Sequence, residues 1–469
     1  MAKKFERHES RLATTDEKGR RVYLYPEDVK GFWRKRRTTF YWILISIYLI
    51  LPWLSFKGKQ IILLDIVNRE FTFFGSTFYA HNAPLLFFVL LTIPLTIGLL
   101  TTLYGRVWCG WACPQTVFID AIYLKIERLV EGKARAREKR DQSPMNLEKF
   151  IRKSVKWGLF VIVSLHIAHS FIGYFVGARE LFWITLSPPW ENPALFTTTM
   201  VISAIFLFDF GWFREQFCIV ACPYGRFQSV MMDENSLVVA YDQKRGEPRR
   251  APDVAAENEG DCINCYQCVK VCPTGIDIRR GTQLECIACT NCIDACDDIM
   301  TKLDRPKGLI RYASETQLEG KERKAWSIRS SIYLGIIFLV VSAFIYSLGQ
   351  RSDYDIVILN TGSTPYQMSE RESYTEITNQ RQLNLSTTAD GTTLIKIELA
   401  PSSHEDIQLV VPRNPWSIQR GHNSTPFFLR YPQAVLEDGR GSVTLYIFNH
   451  ETGELIKQEE VVLVGPGRN

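Results

Sequence analysis

The chain has 469 residues, of which 46% are hydrophobic and 22% are charged, and its formal net charge is +5. That length suits several domains rather than one small module. Its basic residues lie beside apolar runs, where membrane topology explains them, so nothing in the charge points to nucleic-acid binding.

Five apolar runs follow a polar segment, residues 1–39, which ends in the basic run Arg34-Lys35-Arg36-Arg37. This segment does not resemble a signal peptide, because its basic region is long and no small-residue cleavage site follows it. Each apolar run approaches or reaches the length of about 20 residues that crosses a bilayer as a helix. We predict a bundle of five transmembrane helices over residues 40–56, 84–104, 155–176, 194–212 and 328–348.

Lysine and arginine are concentrated in alternate connections between these runs. The connection after the third run has only Arg179, whereas the connection after the second run carries Lys125, Arg128, Lys133, Arg135, Arg137, Lys139 and Arg140. Basic loops stay on the cytoplasmic side of a membrane. We therefore predict that residues 1–39, 105–154 and 213–327 are cytoplasmic and that residues 350–469 lie outside.

Two copies of a Cys-x3-Cys-Pro motif follow the second and the fourth apolar run. The pairs are Cys109 with Cys113 and Cys218 with Cys222. Cysteines at positions i and i+4 share one face if the segment is helical. Four thiolates from two related units would suit Cu(I), another metal or a redox pair. The simpler alternative is a set of small buried residues at helix ends, and the spacing alone does not identify a metal.

His166 and His169 lie three residues apart in the third run, so they share a helix face. Ionisable side chains inside membrane spans are candidates for function. The pair is therefore a candidate ligand set for haem or copper, or a proton relay. The alternative is that both rings form hydrogen bonds within the helix bundle. No residue is identified as catalytic.

Eight of the twelve cysteines form two quartets with the spacing Cys-x2-Cys-x2-Cys-x3-Cys. Bacterial ferredoxins hold [4Fe–4S] clusters with this run, in which the fourth cysteine reaches across to the other cluster. Zinc is the alternative, but zinc sites usually take two separated pairs of ligands. We predict an α+β diferredoxin domain whose two clusters are held by Cys262, Cys265, Cys268 and Cys296, and by Cys286, Cys289, Cys292 and Cys272.

The last segment, 350–469, contains short β-branched and aromatic runs separated by turn signals such as Asp390-Gly391 and Asp438-Gly439. Short strands at this interval predict an immunoglobulin-like β-sandwich. The segment has no cysteine and no catalytic constellation, so we interpret it as an interaction module. The predicted protein is thus a multidomain membrane protein with domains at 1–39, 40–212, 213–327, 328–348 and 350–469.

Several stretches together resemble the cytochrome c oxidase accessory protein family (FixG, RdxA or CcoG type), which is associated with cbb3-type oxidases. The order of spans, ferredoxin domain and C-terminal domain also matches, so the resemblance covers nearly the whole chain. The matching stretches are Val29-Lys30-Gly31, residues 105–118 around the first cysteine motif, residues 222–228 after the second motif, the two ferredoxin quartets, and Gly308-Leu309-Ile310-Arg311-Tyr312.

The resemblance implies reduction of Cu(II) to Cu(I), so that copper can be inserted into the binuclear centre of a cbb3-type oxidase. Copper is then expected as substrate or bound ion at the four Cys-x3-Cys-Pro cysteines. A multi-pass protein of the bacterial inner membrane is implied, with a periplasmic C-terminal domain. Expected partners are oxidase assembly factors, or a copper transporter or chaperone, and a cytoplasmic electron donor that leaves no motif in this sequence.

Two other functions fit the same residues. The Cys-x3-Cys-Pro motifs with a diferredoxin also resemble membrane polyferredoxins of nitrate and nitrous-oxide reductase systems, which pass electrons from quinol to a partner. A third possibility is a non-enzymatic assembly scaffold in which the clusters are only structural. The predicted sandwich and the stretch 308–312 favour the oxidase accessory family.

Overall fold

The structure is a computed structural model that describes residues 14–466, apart from 16–17, 19, 57, 68–69, 79–82, 252–256, 258, 325, 350–353, 362–363, 371–373, 402–403 and 405. The chain forms two compact units. One contains residues 1–78 and 84–344, and the other contains residues 79–83 and 345–469.

Helices lie between residues 32 and 349. Their bounds are α1 Phe32–Ile50, α2 Ala83–Tyr104, α3 Val107–Trp111, α4 Pro114–Phe118, α5 Leu124–Glu131, α6 Ala134–Gln142, α7 Leu147–Val176, α8 Ala178–Leu186, α9 Pro193–Phe206, α10 Pro223–Met231, α11 Gln243–Gly246, α12 Gln267–Lys270, α13 Asn291–Lys302, α14 Glu315–Leu318 and α15 Ile328–Gly349. π-Helical segments follow α4, follow α9 and precede α10, at Ile119–Tyr123, Leu207–Phe213 and Phe217–Ala221.

Four helical stretches of the described chain are long and apolar enough to cross a membrane. They are Leu85–Tyr104, Leu147–Val176, Pro193–Phe213 and Ile328–Gly349. Most of their side chains are not buried by the protein, and only 6% of the most apolar stretch of α15 is buried. Such exposure is expected where lipid covers the side chains. A helix can face lipid in this way because it satisfies its own backbone hydrogen bonds. Apolar helices are thus present at four of the five predicted spans.

The predicted span 40–56 has a different form. Helix α1 begins at Phe32, so the basic run occupies its first two turns, and it ends at Ile50 before a 3-10 turn that contains Pro52. Its apolar part, from Phe40 to Ile50, is about 16 Å long, roughly half of the ~30 Å apolar core of a bilayer. The described structure therefore does not confirm a fifth helix of full span length.

Two short strands tie the ends of the ferredoxin segment together. Strand β6 precedes the cysteine loops and β7 follows them, and they pair antiparallel from Val238 with Ala313 to Tyr241 with Ile310. Their buried side chains form one core with the cysteine loops and α13. The strands of the first unit are β1 Ser55–Phe56, β2 Lys59–Gln60, β3 Ile62–Asp65, β4 Glu70–Phe73, β5 Ser76–Phe78, β6 Val238–Tyr241 and β7 Ile310–Ala313.

The second unit is rich in β-structure around a single apolar core. Its strands join into one hydrogen-bonded network in which β10 pairs with β8, β9, β12 and β13. The immunoglobulin-like sandwich stays a prediction, because β10 and β12 run continuously through this network. The strand bounds are β8 Tyr354–Asn360, β9 Gln367–Glu370, β10 Thr375–Leu399, β11 Gln408–Val410, β12 Trp416–Pro432, β13 Arg440–Asn449 and β14 Leu455–Val464.

Only one of the two turn signals in this unit marks a turn. Asp438 and Gly439 both have positive φ and join a bridge between Glu437 and Arg440, as a tight two-residue turn requires. The prediction of a turn at Asp390-Gly391 is wrong, because both residues lie inside β10. Gly391, with φ of 104°, lies beside a shift in the register between β10 and β12, where an irregular strand favours glycine.

Candidate metal and electron-transfer sites

The first cysteine loop wraps around a cavity. Asn264 and Tyr266, on either side of Cys265, have left-handed backbone conformations, with φ of 55° and 58°. These conformations turn the chain sharply, so that three cysteines close in sequence face one space. The fourth cysteine comes from α13. The cavity is lined by Cys262, Cys265, Cys268 and Cys296, together with apolar side chains such as those of Ile299 and Leu309.

The second loop repeats this backbone geometry. Ala288 and Thr290, on either side of Cys289, have φ of 52° and 63°, so the equivalent positions of both loops are left-handed. A second cavity is lined by Cys272, Cys286, Cys289 and Cys292, and Cys268 also reaches it. Each cavity thus combines three cysteines of one quartet with the fourth cysteine of the other. That arrangement supports the predicted ligand sets, which stay a prediction.

Both cavities have the properties of cluster sites. Burial raises the pKa of the Cys272 thiol to about 11 and those of the Cys286 and Cys296 thiols to about 12. These thiols are therefore neutral until a metal displaces their protons. Four thiols around an apolar space fit a [4Fe–4S] cluster, which would make this segment a one-electron store. The first cavity is the outer one, because its Cys265 is exposed, whereas the four cysteines of the second cavity are all buried or half-buried.

The two Cys-x3-Cys-Pro motifs have nearly the same backbone path. In each, the first cysteine lies in a short helical segment, and the second cysteine precedes a new helix that begins with proline. Cys113 has φ and ψ of −63° and 124°, and Cys222 has −73° and 111°. The second cysteine is thus in an extended conformation. Each pair would share one helix face only if its segment were helical throughout, and this condition is not met, because proline starts a separate helix.

The structure brings all four of these cysteines together. Cys218 interacts electrostatically with Cys109, Cys113 and Cys222. Burial, together with the neighbouring Cys113 thiol, raises the pKa of the Cys109 thiol to about 12. We call Cys109, Cys113, Cys218 and Cys222 the thiol quartet. Among the described residues, no three His, Cys, Asp or Glu side chains lie at the spacing that holds one metal ion, so the quartet would have to close to bind copper.

A buried glutamine faces the quartet with an unused donor. Gln228 is fully buried, its Oε1 atom lies 3.4 Å from the Sγ atom of Cys109, and its Nε2 atom has no hydrogen-bond partner. The two ends of a glutamine amide are interchangeable in such an assignment. A metal-bound Cys109 thiolate can only accept, so the turned amide would donate its Nε2–H to the sulfur. The orphaned donor therefore fits a quartet that binds a metal as thiolate.

Two contacts hold the quartet against the second cysteine loop. A Cβ atom on Gly110 would lie 2.5 Å from the carbonyl oxygen of Ile287, so only glycine fits between α3 and this loop. The buried guanidinium of Arg106 donates hydrogen bonds to the carbonyl oxygens of Leu284 and Gly225. It thus connects the first motif, the second motif and the loop of Cys286. The second cysteine cavity therefore adjoins the quartet.

Several residues of this region were not predicted from the sequence. The basic run was interpreted only as a sign of topology, but Arg37 is buried and donates to the carbonyl oxygen of Cys289. Asp120 pairs with it at 3.0 Å. Arg106 and Gln228 lie in stretches that carry the family resemblance, but the sequence assigned them no role, and no local pattern marked Asp120. The partners of all three residues lie far away in the sequence.

A buried ion cluster surrounds Glu127 on α5. Glu127, which is 2% exposed, pairs with Arg137 at 2.7 Å, with Arg214 at 2.5 Å and with Lys156 at 3.4 Å. Burial by itself would raise the pKa of the Glu127 carboxyl, but Arg214 and Lys156 outweigh burial and lower this pKa to about 2. Arg137 was predicted to be a cytoplasmic anchor, and the structure gives it this buried partner.

The histidine pair of the third span is not joined to a larger ligand set in the described chain. His169 shares a hydrogen bond of 3.0 Å between its Nε2 atom and the hydroxyl of Thr185 on α8, and His166 is exposed. This hydrogen bond to a neighbouring helix fits the alternative role, in which the rings form hydrogen bonds within the helix bundle. A ligand role for His166 and His169 stays an untested prediction.

Two family models match the chain. A 4Fe-4S dicluster domain matches residues 213–315, and a 4Fe-4S binding domain matches residues 86–133. The first range contains the second Cys-x3-Cys-Pro motif and both ferredoxin quartets, and the other contains the first motif. The matches support iron–sulfur clusters as cofactors.

Similar proteins cover most of the chain. Protein RdxB of Cereibacter sphaeroides is 36% identical over 431 residues, which is 86% of this chain and 88% of that protein. Protein RdxA of the same organism is 37% identical, over 72% of this chain and 74% of that protein. Nitrogen fixation protein FixG of Rhizobium meliloti is 39% identical, over 63% and 58%.

Among solved structures, a FixG-related protein from Vibrio parahaemolyticus aligns with 24% of this chain and 97% of its own length. The sequence identity is 8% and the TM-score is 0.19.

Proposed function

Because this chain belongs to the FixG/RdxA family of membrane iron–sulfur proteins, we propose that it is a cupric reductase. It would reduce Cu(II) to Cu(I) for assembly of a cbb3-type cytochrome c oxidase. The family membership and the iron–sulfur domains support an electron-transfer protein. The copper substrate is the step that we add.

The observation that carries this proposal is the position of the thiol quartet beside the second cysteine cavity. Gly110 and Arg106 hold the quartet against the loop of Cys286 and Cys289. Thiolates select Cu(I) over harder ions. A site of four thiols next to a one-electron store is therefore suited to receive the product of a one-electron reduction of copper.

The exposure of the two cavities supports a direction of electron flow. Cys265, in the first cavity, is exposed, so a cytoplasmic electron donor would dock there. The second cavity lies inward and adjoins the quartet. Clusters held by the cysteines of the two cavities would relay one electron from the donor to each Cu(II), and the cluster of the second cavity would be oxidised as Cu(I) forms.

Five membrane crossings are part of this proposal, with two contacts in support. Arg37, at the start of α1, donates to the Cys289 carbonyl oxygen, whereas Gln60 donates to the carbonyl oxygen of Gly173 at 3.0 Å, near the end of α7. In the N-terminal half of α7, Lys156 forms an ion pair with Glu127. If α7 crosses the bilayer, the chain must also cross between residues 37 and 60, although α1 is short.

We place the protein in the bacterial inner membrane, with the N-terminus and ferredoxin domain in the cytoplasm and the β-rich unit in the periplasm. The basic residues of the connection 105–154 support this orientation. Cu(I) would pass to oxidase assembly factors, or to a copper transporter or chaperone. The β-rich unit carries no cysteine that could hold copper. Its role would therefore be to dock such a partner.

The proposal is tested with the purified full-length protein. Its clusters are reduced anaerobically with dithionite, the excess is removed, and Cu(II) is added with a chelator that colours with Cu(I). We expect about two Cu(I) per protein, because each of two [4Fe–4S] clusters yields one electron. The variant Cys109→Ser/Cys218→Ser, checked for unchanged iron content, should lose most of this reduction.

Other outcomes favour the other functions. Equal Cu(I) yield from the double variant would show that copper does not use the quartet. Reduction of the clusters by a quinol analogue, without copper reduction, would support a quinol-oxidising electron-transfer subunit. Clusters that dithionite cannot reduce reversibly would indicate a structural scaffold.

A further inference from the structure

A small cavity lies between the thiol quartet and the second cysteine loop. Cys218 of the quartet and Cys289 of the loop both line it, and its volume is about 40 Å³. About 10–15 Å³ of such volume holds one water molecule, so the cavity holds about three. A quinol ring does not fit this space, whereas a partly hydrated metal ion does.

The charged lining of the cavity has a negative formal charge when all its ionisable groups are charged. Three carboxylates face two guanidinium groups, which leaves one negative charge in excess; these side chains are Glu27, Asp120, Glu215, Arg37 and Arg128. An excess of carboxylate favours a cation over an anion in a confined space. The cavity therefore suits a divalent cation.

Most of these charges already have ionic partners. Asp120 pairs with Arg37 at 3.0 Å, Arg128 pairs with Asp28 at 2.6 Å, and Glu27 pairs with Arg135 at 3.3 Å. These pairs fix both guanidinium groups of the lining. They also occupy two of its three carboxylates.

Glu215 is the remaining carboxylate. Within the described chain Glu215 forms no salt bridge, although the guanidinium groups of Arg21 and Arg214 attract it electrostatically. The adjacent Arg214 is bound by Glu127 at 2.5 Å. Glu215 lies three residues before Cys218, and both line the cavity. An oxygen donor and a sulfur donor thus face the same water-sized space.

We propose that this cavity is the site that first binds Cu(II), with Glu215 and Cys218 as its ligands. The inference rests on the proposed function and adds the site at which reduction occurs. Carboxylate and water oxygens suit Cu(II), whereas thiolates suit Cu(I). A cluster held by Cys272, Cys286, Cys289 and Cys292 would supply the one electron that converts Cu(II) to Cu(I), and would itself be oxidised by one electron. The product then leaves Glu215 for the softer thiol quartet.

The test measures binding of Cu(II) to the oxidised full-length protein, whose [4Fe–4S] clusters are then diamagnetic and leave the electron paramagnetic resonance signal of Cu(II) visible. Glu215→Gln should weaken Cu(II) binding at least about tenfold, and Glu215→Asp should restore part of it. The matched control is Glu148→Gln, an exposed carboxylate on α7 that pairs with Arg152. It should leave Cu(II) affinity within about twofold of the unchanged protein.

Cu(I) affinity, measured by competition with a Cu(I) chelator, should be the same in all these variants. Equal Cu(II) affinity in Glu215→Gln and the unchanged protein would overturn the inference. If Glu215→Gln loses its clusters, the test is made instead on Cu(II) bound to the unchanged protein. Its bound Cu(II) must show a sulfur-to-copper charge-transfer band that Cys218→Ser removes, and no such band would also overturn the inference.

The two proposals fail in different ways. If Cu(II) binding depends on Glu215 but the reduced clusters do not reduce the bound Cu(II), the proposed reductase function is wrong and the proposed binding site stands. If Glu215→Gln reduces Cu(II) with an unchanged KM for Cu(II), the proposed binding site is wrong and the proposed reductase function stands.

Discussion

Gly110 and Ile287 are in direct backbone contact: a Cβ atom at position 110 would lie 2.5 Å from the Ile287 carbonyl oxygen. Ile287 lies between Cys286 and Cys289, and Gly110 follows Cys109. This contact therefore sets the separation between a thiol of the quartet and the second cysteine cavity.

Gly110→Ala should slow copper reduction without removing the clusters. The added methyl group must push α3 away from the loop, and a shift of about 1 Å in a reacting group can cost up to about 100-fold in rate. We expect a loss of about 10- to 100-fold in single-turnover reduction, measured by stopped flow. Gly158→Ala, where the Cβ atom meets nothing within 4 Å, is the control and should react normally.

Exchanging one crossed ligand should remove the cluster of the other quartet. Cys272→Ser is expected to lose the cluster of Cys286, Cys289 and Cys292, because Cys272 lines that cavity. Cys296→Ser should lose the outer cluster, whose cavity it lines. Iron analysis and the electron paramagnetic resonance spectra of the reduced proteins distinguish the two. Loss of the same cluster signal in both variants would contradict the crossed assignment.

Gln228→Leu should weaken metal binding by the quartet. The change removes the only polar group of this side chain, which lies 3.4 Å from Cys109, and partners that donate to a ligand contribute about 10- to 100-fold to metal affinity. Cu(I) competition titrations would show this loss. Gln228→Glu should be weaker still, since a carboxylate cannot donate to a thiolate. Unchanged affinity in Gln228→Leu would mean that the amide does not act on the quartet.

Glu127→Gln should destabilise the first unit. Removing the charge leaves Arg214, Arg137 and Lys156 buried without their shared partner, and breaking a buried ion pair in this way costs about 3–5 kcal/mol. Thermal unfolding in detergent, followed by tryptophan fluorescence, would measure the loss. Glu148→Gln should unfold like the unchanged protein, because its exposed pair contributes about 0–1 kcal/mol.

The same carboxylate should make stability depend on pH in the acid range. Its pKa falls from 4.5 to about 2 on folding, so the folded state favours the ionised form. The resulting stability, about 3 kcal/mol at about 1.4 kcal/mol per pKa unit, is fully present above pH 4.5 and is lost as the pH falls towards 2. The difference in unfolding temperature between the unchanged protein and Glu127→Gln should therefore shrink from pH 5 to pH 3. A constant difference would assign the stability to packing instead.

The sequence alone determined the features that depend on local spacing. Ferredoxin spacing predicted two cluster segments, and hydropathy predicted the apolar helices, four of which meet the length of a span. Both predictions succeed because a cysteine run and an apolar run carry their physical meaning within a few tens of residues. The same local logic failed at Asp390-Gly391, where pairing with β12 keeps the dipeptide inside a strand.

Only the tertiary structure decided which groups meet over long distances in the chain. It placed the thiol quartet beside the cavity of Cys289 and left Cys265 exposed. It also gave Arg37 and Arg137 buried partners, where the sequence indicated only topology. A charged residue looks the same in the sequence whether its side chain lies in water or in a buried ion pair. What separates the two is burial and the position of the partner, and both arise only when the chain folds.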